Sequence, residues 1–371
     1  MFPIFSQIFS GIEDPRVDRT KKHPLESILY IVLCGSLAGI DSWTGFEDYA
    51  SAHEETLRQF IVLPEGIPSH DTIARVIRAL DVSSFARCFE SFAASLAENA
   101  KGVIAIDGKT MRGSFDDKKK VKSRHIVSAW ADCCKVALAQ VKVDDKSNEI
   151  TAIPQLLELL DLNGQIVTID AMGCQRDICS RIIEKGGDYA ISLKGNQGSL
   201  HKDVALFFAD KKREPAHEWE EYDKGHGRIE HRHCTAIQDI AWLQEIHDWP
   251  GLRSIAMVKS TRQNNEDIQQ ETRYYLSSMP ADAERIAKAA RAHWGIENSL
   301  HWVLDVSFNE DGSRIRSNNA PEILSMLRKW SINILNQHKG TLSQTHDEQN
   351  RHVTHIFNQT NSKILDASAL G

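Results

Sequence analysis

The sequence predicts a mixed α/β fold in two parts: a helical amino-terminal unit, then a mixed sheet flanked by helices with a β-rich insertion. Three observations lead there. Up to residue 98 the apolar residues recur at helical spacing, and no strand-like segment interrupts them. From Gly102 to Lys194 short apolar runs alternate with amphipathic helices in the order β-β-β-α-β-α-β. From about 198 to 280 the chain turns polar, in segments that read as hairpins, before helices return. A length of 371 residues accommodates two or three domains, and 41% hydrophobic with 26% charged residues excludes a disordered, collagenous or coiled-coil chain.

Pro24 precedes LESILYIVLCGSLAGI, whose apolar positions nearly encircle a helix and so predict burial. The run Ser27 to Ile40 contains two glycines and is too short to span a bilayer. Trp43 to Phe60 continues as helix until LPEGIPSHD breaks it. Ser69 and Asp71 can cap TIARVIRALD, where Ile73, Val76, Ile77 and Leu80 form one face. Arg75 and Arg78 fall outside that stripe, either solvated on a packing helix or free to enter a DNA groove as in helix-turn-helix proteins. Ser83 to Ala97 closes the unit. VIAID (103–107), HIVSAWAD (125–132) and ALAQVKV (137–143) are expected strands of a meander. The helix ITAIPQLLELLDL (150–162), the strand QIVTIDA (165–171), the helix CQRDICSRIIEKG (174–186) and the strand YAISLK (189–194) follow. That order in a mixed sheet is the ribonuclease H-like architecture. Beyond the insertion come a long helical stretch, about 281 to 308, and a last helix from Glu322 to Gln337. The expected domains are 1–98, 99–337 and a polar, weakly periodic tail, 338–371.

A net charge of −7 argues against a generally DNA-binding surface, but the charge is unevenly placed. The first hundred residues carry 8 basic and 14 acidic side chains, and the next hundred 15 and 13. Seven cations, Lys109, Arg112, Lys118, Lys119, Lys120, Lys122 and Arg124, crowd into one stretch against Asp116 and Asp117. Such a patch binds a phosphate backbone or is simply a solvated loop. Seven cysteines without C-x-x-C spacing predict reduced thiols in the cytoplasm, and MFPIFSQIFSGIEDPR has no basic region of the kind that opens a signal peptide. No Walker or Rossmann glycine pattern occurs, so no nucleotide cofactor is expected.

Asp107 and Asp170 each follow a very apolar strand, where an ionised carboxylate is costly unless it meets a metal or a cation. One such aspartate would most simply cap the next turn. Two of them, on strands that neighbour each other at the centre of the fold, point instead to a two-metal phosphoryl-transfer site. Glu297 is the third candidate. It stands between His293 and His301 at helical spacing, with Arg291 close by and Trp294 and Trp302 flanking. The row H-x-x-x-E-x-x-x-H lacks the metalloprotease spacing, and a helix with structural histidines is the alternative. Lys194 ends a strand near the expected site and could hold a phosphate. His226, Arg228 and Arg232 could reach DNA from a hairpin. A zinc site at His231, His233 and Cys234 would want a second pair of ligands, which is missing at suitable spacing.

The segments IPSHDTIARV, IAIDGKTMRGS, TIDAMGCQRDI, SLKGNQ, GHGRIEHR and RAHWGIENSLHWVLDVSFNEDGSRIR together resemble the H-repeat-associated family of bacterial insertion-sequence transposases. That family belongs to the DDE transposases, which have a ribonuclease H-like core, and the resemblance runs from about residue 5 to about residue 335. It implies that Asp107, Asp170 and Glu297 are the triad that holds two Mg²⁺ or Mn²⁺ ions. It also implies metal-dependent DNA strand cleavage and strand transfer, with the element's terminal inverted repeats and target DNA as partners and a homodimer in the DNA complex. The pattern departs from better-studied relatives in two places. His293 and Leu304 stand where those carry arginine and lysine, which leaves Arg291, His293 and His301 as the expected phosphate contacts. The tail after His338 is less basic than theirs, which leaves a non-catalytic DNA-binding remnant, or a host nuclease of the same fold, as alternatives.

Overall fold

A computed structural model describes residues 9–115, 122–144, 146–210, 217–225, 228–264 and 267–337. Lys118, Lys119, Lys120 and His226, and the tail from residue 338, lie outside the described residues.

Helix α1 (Leu25–Leu37) is buried nearly all round, as its encircling apolar pattern requires. Helices α2 (Trp43–Ala52), α3 (His70–Ala79) and α4 (Val82–Leu96) each begin at a polar cap. The side chains of Ser42, Ser69 and Asp81 accept the N–H groups of Gly45, Thr72 and Ser84. The expected run from Trp43 to Phe60 is interrupted, because α2 ends at His53 and only a single turn, Glu54–Leu57, follows. On α3, Arg75 is exposed, but Arg78 lies 5.7 Å over the ring of Trp43 and is held against the protein.

The remaining elements are β1 (Val103–Met111), β2 (Arg124–Ala131), β3 (Val136–Lys142), α5 (Glu149–Glu158), β4 (Ile166–Ile169), α6 (Arg176–Glu184) and β5 (Asp188–Leu193). There follow α7 (Gly198–Ala209), β6 (His217–Gly225), β7 (Arg228–Ile237), α8 (Ala241–His247), β8 (Ser254–Asn264) and β9 (Asp267–Ser277). Helix α9 (Ala283–Ile296), a π-helical turn (Glu297–His301) and α10 (Trp302–Val306) form one continuous helix, and α11 (Ala320–Gln337) ends the described chain.

One sheet carries all nine strands in the order β3-β2-β1-β4-β5-β9-β8-β7-β6. Its first five strands have the ribonuclease H-like arrangement: β1 is antiparallel to β2 and parallel to β4, and β4 is parallel to β5. Two features differ from expectation. Strand β1 does not stop at Asp107 but runs on to Met111, because β2 stays paired with it as far as Arg124. The insertion is not a set of separate hairpins: β9 pairs with β5 from Ala190 to Leu193, so β6–β9 extend the central sheet.

Both faces of the first five strands are covered, as parallel strands require. Ile104, Ile106, Val167 and Ile169 pack towards α5 and α6 on one side. On the other, Ala105, Trp130 and Ala137 share a core with α1–α4, α10 and α11, so the amino-terminal helices are built into the same core as the sheet. Trp330 of α11 anchors it, with ring centroids 5.4 Å from Phe9, 6.0 Å from Phe85 and 5.0 Å from Phe92. Full burial of a side chain of that kind stabilises by about 1.5–3 kcal/mol. Among the described residues no helix is long and apolar enough to cross a membrane.

Candidate active site

Strand alternation decides which side chains meet. With Ile104 and Ile106 on the α5–α6 face, Ala105 and Asp107 point to the opposite face; with Val167 and Ile169 there too, Thr168 and Asp170 do likewise. Ile106 pairs with Ile169 at the end of the parallel ladder, so Asp107 and Asp170 are the next residues in register. The turn after β4 uses one oxygen of Asp170: Oδ1 accepts the N–H groups of Met172 (2.9 Å) and Gly173 (3.2 Å).

Helix α9 crosses this face and makes its close approach at Gly295, where a Cβ would overlap the Asp132 carboxylate beyond β2 and crowd the Trp130 indole. Glu297 follows two residues later, at the start of the π turn, a local widening of the helix common at functional sites. His293 Nδ1 lies 3.2 Å from Thr168 Oγ1, and His301 Nδ1 lies 3.4 Å from Asp107 Oδ2. Asp107, Asp170, Glu297, His293 and Lys194 line one cavity of about 170 Å³, together with Arg273 and Trp294. The three predicted carboxylates thus line one cavity.

Their charges crowd one another. Burial, then the charges of Glu149 and Asp107, hold Asp170 above the usual carboxylate range. Burial, then Asp107, does the same to Glu297. Burial pushes the His293 imidazole below its ordinary range, against the opposing charges of Asp107 and Asp170. Carboxylates that line one cavity are an oxygen-rich donor set of the kind that hard divalent cations take. Among the described residues, no three His, Cys, Asp or Glu side chains stand close enough together to hold a metal ion as arranged here, and that includes His231, His233 and Cys234.

Other predicted residues take different places. Lys109 is turned inward, 2.7 Å from Asp305, 3.1 Å from Glu310 and 3.2 Å from Asp311. Arg124 is bound to Glu322 and donates to the Asn318 carbonyl (2.6 Å). Arg232 is buried in an ion pair with Glu230 and lies 3.4 Å from Glu221; burial, then neighbouring Arg291, lowers its pKa. These three were expected on DNA, but each is engaged by acids of its own fold. Arg112 and Lys122 are exposed, and so is Lys194 at the end of β5. Arg291 lies in a second cleft of about 360 Å³, between α9 and the insertion strands, with Arg262, Lys288 and Trp219. That cleft shares Arg273, Tyr275 and Trp294 with the first cavity.

Sequence reasoning missed Arg273 and Glu149. Arg273 stacks 4.7 Å over Trp294 and is fixed by Glu271 at 2.7 Å, but nothing in ETRYYLSS distinguishes it from any strand arginine. Glu149 bonds His125 at 2.6 Å and fills the space a Cβ would take at Gly108, next to Asp107. Gly108 beside a catalytic-strand aspartate was the available signal.

Two family models match this chain: the Transposase DDE domain over residues 98–334 and the DDE_Tnp_1-associated domain over residues 6–93. "Putative transposase YncI" of Escherichia coli O157:H7 is 43% identical, the alignment covering 88% of this chain and 85% of that protein. "H repeat-associated putative transposase YhhI" of Escherichia coli (strain K12) is 39% identical over 89% of each chain. A shorter relative, "Inactive transposase YbfQ" of the same strain, is 40% identical over 15% of this chain and 66% of its own length. With a ribonuclease H-like sheet and aspartates side by side at its centre, this chain belongs to the H-repeat-associated DDE transposases.

Proposed function

We propose that Asp107, Asp170 and Glu297 are the catalytic carboxylates of this transposase and that they hold two divalent ions, Mg²⁺ or Mn²⁺. The observation that carries the assignment is the register: Ile106 opposite Ile169 puts the two aspartates side by side, and α9 brings Glu297 to the same cavity. Ions bound there would supply the positive charge that acidifies an attacking water or DNA 3′-hydroxyl and stabilises the leaving 3′-oxygen. Cleavage is then direct attack of water oxygen on phosphorus with loss of the 3′-oxygen, and strand transfer repeats it with the freed 3′-hydroxyl. Neither step calls for a Ser or Tyr nucleophile. Lys194 and Arg273 would face the reacting phosphate from the cavity wall, and His293, hydrogen-bonded to Thr168, would order that side chain beneath it. The substrates on this reading are the element's terminal inverted repeats and a target duplex, engaged in the cytoplasm by two copies of the chain. One strand would leave along the cleft lined by Arg291, Arg262 and Lys288, with Arg112, Lys122 and the segment holding Lys118, Lys119 and Lys120 as a further edge.

Asp107→Asn tests the assignment. It should abolish Mn²⁺-dependent nicking of terminal-repeat DNA while binding persists in gel-shift assays. Nicking that survives the substitution refutes it, and wild-type protein that binds the repeats but never nicks them would mark a DNA-binding remnant instead.

A further inference from the structure

We infer that Lys109 is a positioning residue that holds the strand bearing Asp107 and the helix bearing Glu297 at one fixed spacing; this rests on the assignment of those carboxylates to the active site. Lys109 lies two residues beyond Asp107 on β1 and so on the same face of the sheet. Its ammonium meets Asp305 at 2.7 Å, and Asp305 stands in the last turn of the helix that carries Glu297. The same ammonium meets Glu310 at 3.1 Å and Asp311 at 3.2 Å, in the segment just after that helix. The ammonium donates hydrogen bonds to Glu310 and Asp311 and is ion-paired with Asp305, so three carboxylates already compete with a DNA phosphate for its charge.

The surroundings make this a rigid attachment. The side chain of Lys109 is 10% exposed and that of Glu310 1% exposed, and Glu310 also faces Arg328 of α11 at 3.7 Å. Asp311 accepts the backbone N–H of Arg112 (3.1 Å), and a Cβ at Gly113 would overlap the backbone carbonyls of Asp311 and Ser313. The segment after the helix therefore lies directly on the chain that leaves β1. A cation at a helix carboxyl end also suits the helix dipole.

The π turn gives the attachment its purpose. Between Glu297 and His301 the helix holds one more residue per turn than α-helical geometry wants, and a return to α-helix would swing Glu297 round the axis. Two fixed points bracket that turn: the close approach at Gly295 before it and the Lys109–Asp305 pair after it. Together they keep Glu297 aimed at Asp107.

The full chain tests this with Lys109→Met and Asp305→Asn beside Asp107→Asn. Three quantities are read: single-turnover nicking rate at saturating DNA, the salt dependence of DNA affinity, and the Mn²⁺ concentration giving half the maximal melting shift without DNA. Displacing a reacting group by about 1 Å costs up to roughly a hundredfold in rate. Asp305→Asn should therefore slow nicking about tenfold or more and raise the Mn²⁺ requirement, with affinity and salt slope unchanged; Lys109→Met should do the same more strongly. If Lys109→Met does not fold, Asp305→Asn, which leaves the lysine two acids, carries the test. A salt slope shallower by about 0.9 in Lys109→Met, with nicking intact at saturation, would make Lys109 a phosphate contact and overturn the inference. Asp305→Asn with wild-type rate and Mn²⁺ response would overturn it too, and an inactive Asp107→Asn in the same experiment would show that the site assignment stands without it.

Discussion

Glu90 should make the stability of this protein fall as pH rises from 4.5 through 7. It sits half-buried on α4, beside a cavity of about 430 Å³ that Ala94, Ile104, Leu138 and Leu160 help to line, where the helical unit meets the sheet. Burial pushes its carboxyl from the ordinary 4.5 up to about 7, against the opposing charge of Arg87. A carboxyl whose folded pKa is raised binds its proton more tightly in the native state. Its stabilising contribution is thus complete below pH 4.5 and is lost as pH rises through 7. The difference between 4.5 and about 7 corresponds to about 3 kcal/mol, which solvent screening of a half-exposed group reduces to about 1 kcal/mol. Glu90→Gln removes the titration. The variant should match wild type at pH 4.5 and exceed it by about 1 kcal/mol at pH 8, which for a chain of this size is about 1–2 °C in melting temperature. Thermal melts of both proteins at half-unit steps of pH measure the gap. A gap that does not change with pH, or that closes as pH rises, refutes the reasoning.

Asp170→Asn keeps the Oδ1 acceptor for Met172 and Gly173 but removes a charge that Glu149 and Asp107 oppose. The metal-free protein should gain about 0.5–2 kcal/mol, and melts with and without Mn²⁺ should show most of the ion's stabilisation gone. Arg232→Met takes the nearest cation from Glu230, which is 3% exposed, while Arg262 stays at 3.4 Å, so urea denaturation should register a loss of about 3 kcal/mol. Replacing Lys118, Lys119 and Lys120 by alanine should weaken DNA binding equally for all sequences. Anisotropy titrations across salt should show the slope reduced by roughly 0.9 for each phosphate that is no longer neutralised.

The sheet's central order was legible because buried strands announce themselves locally: VIAID, IVTID and YAISL are short apolar runs between glycine and polar breaks. What escaped depends on distant partners. Gly108 to Met111 is too polar to read as a strand of the core and continues β1 only because β2 pairs alongside. The pairing of β9 with β5 joins residues some eighty positions apart, and no local pattern in either strand specifies its neighbour. The π turn is invisible for the same reason, since RAHWGIENSLHWVLD has ordinary helical composition.

The convergence of the carboxylates was legible and the partners of Lys109, Arg124 and Arg232 were not, and the difference is physical. An aspartate at the end of an apolar run is conspicuous because ionised burial costs so much that some partner must exist. A lysine in a basic stretch shows no such conflict; its charge says that an anion will be welcome and not which anion. Lys109 and Arg124 belong to a stretch that reads as a phosphate clamp, yet their acids are Glu310 and Glu322, about two hundred residues further along the chain. In a chain with a net charge of −7 that outcome is to be expected, because internal carboxylates compete with DNA for every cation that topology brings within reach. On the function proposed above, DNA contact is expected of the exposed cations Lys194 at the cavity, Arg291 in the adjoining cleft and Arg112 beyond β1. On the inference drawn above, Lys109, already enclosed by acids, acts on DNA only by holding the carboxylates in place.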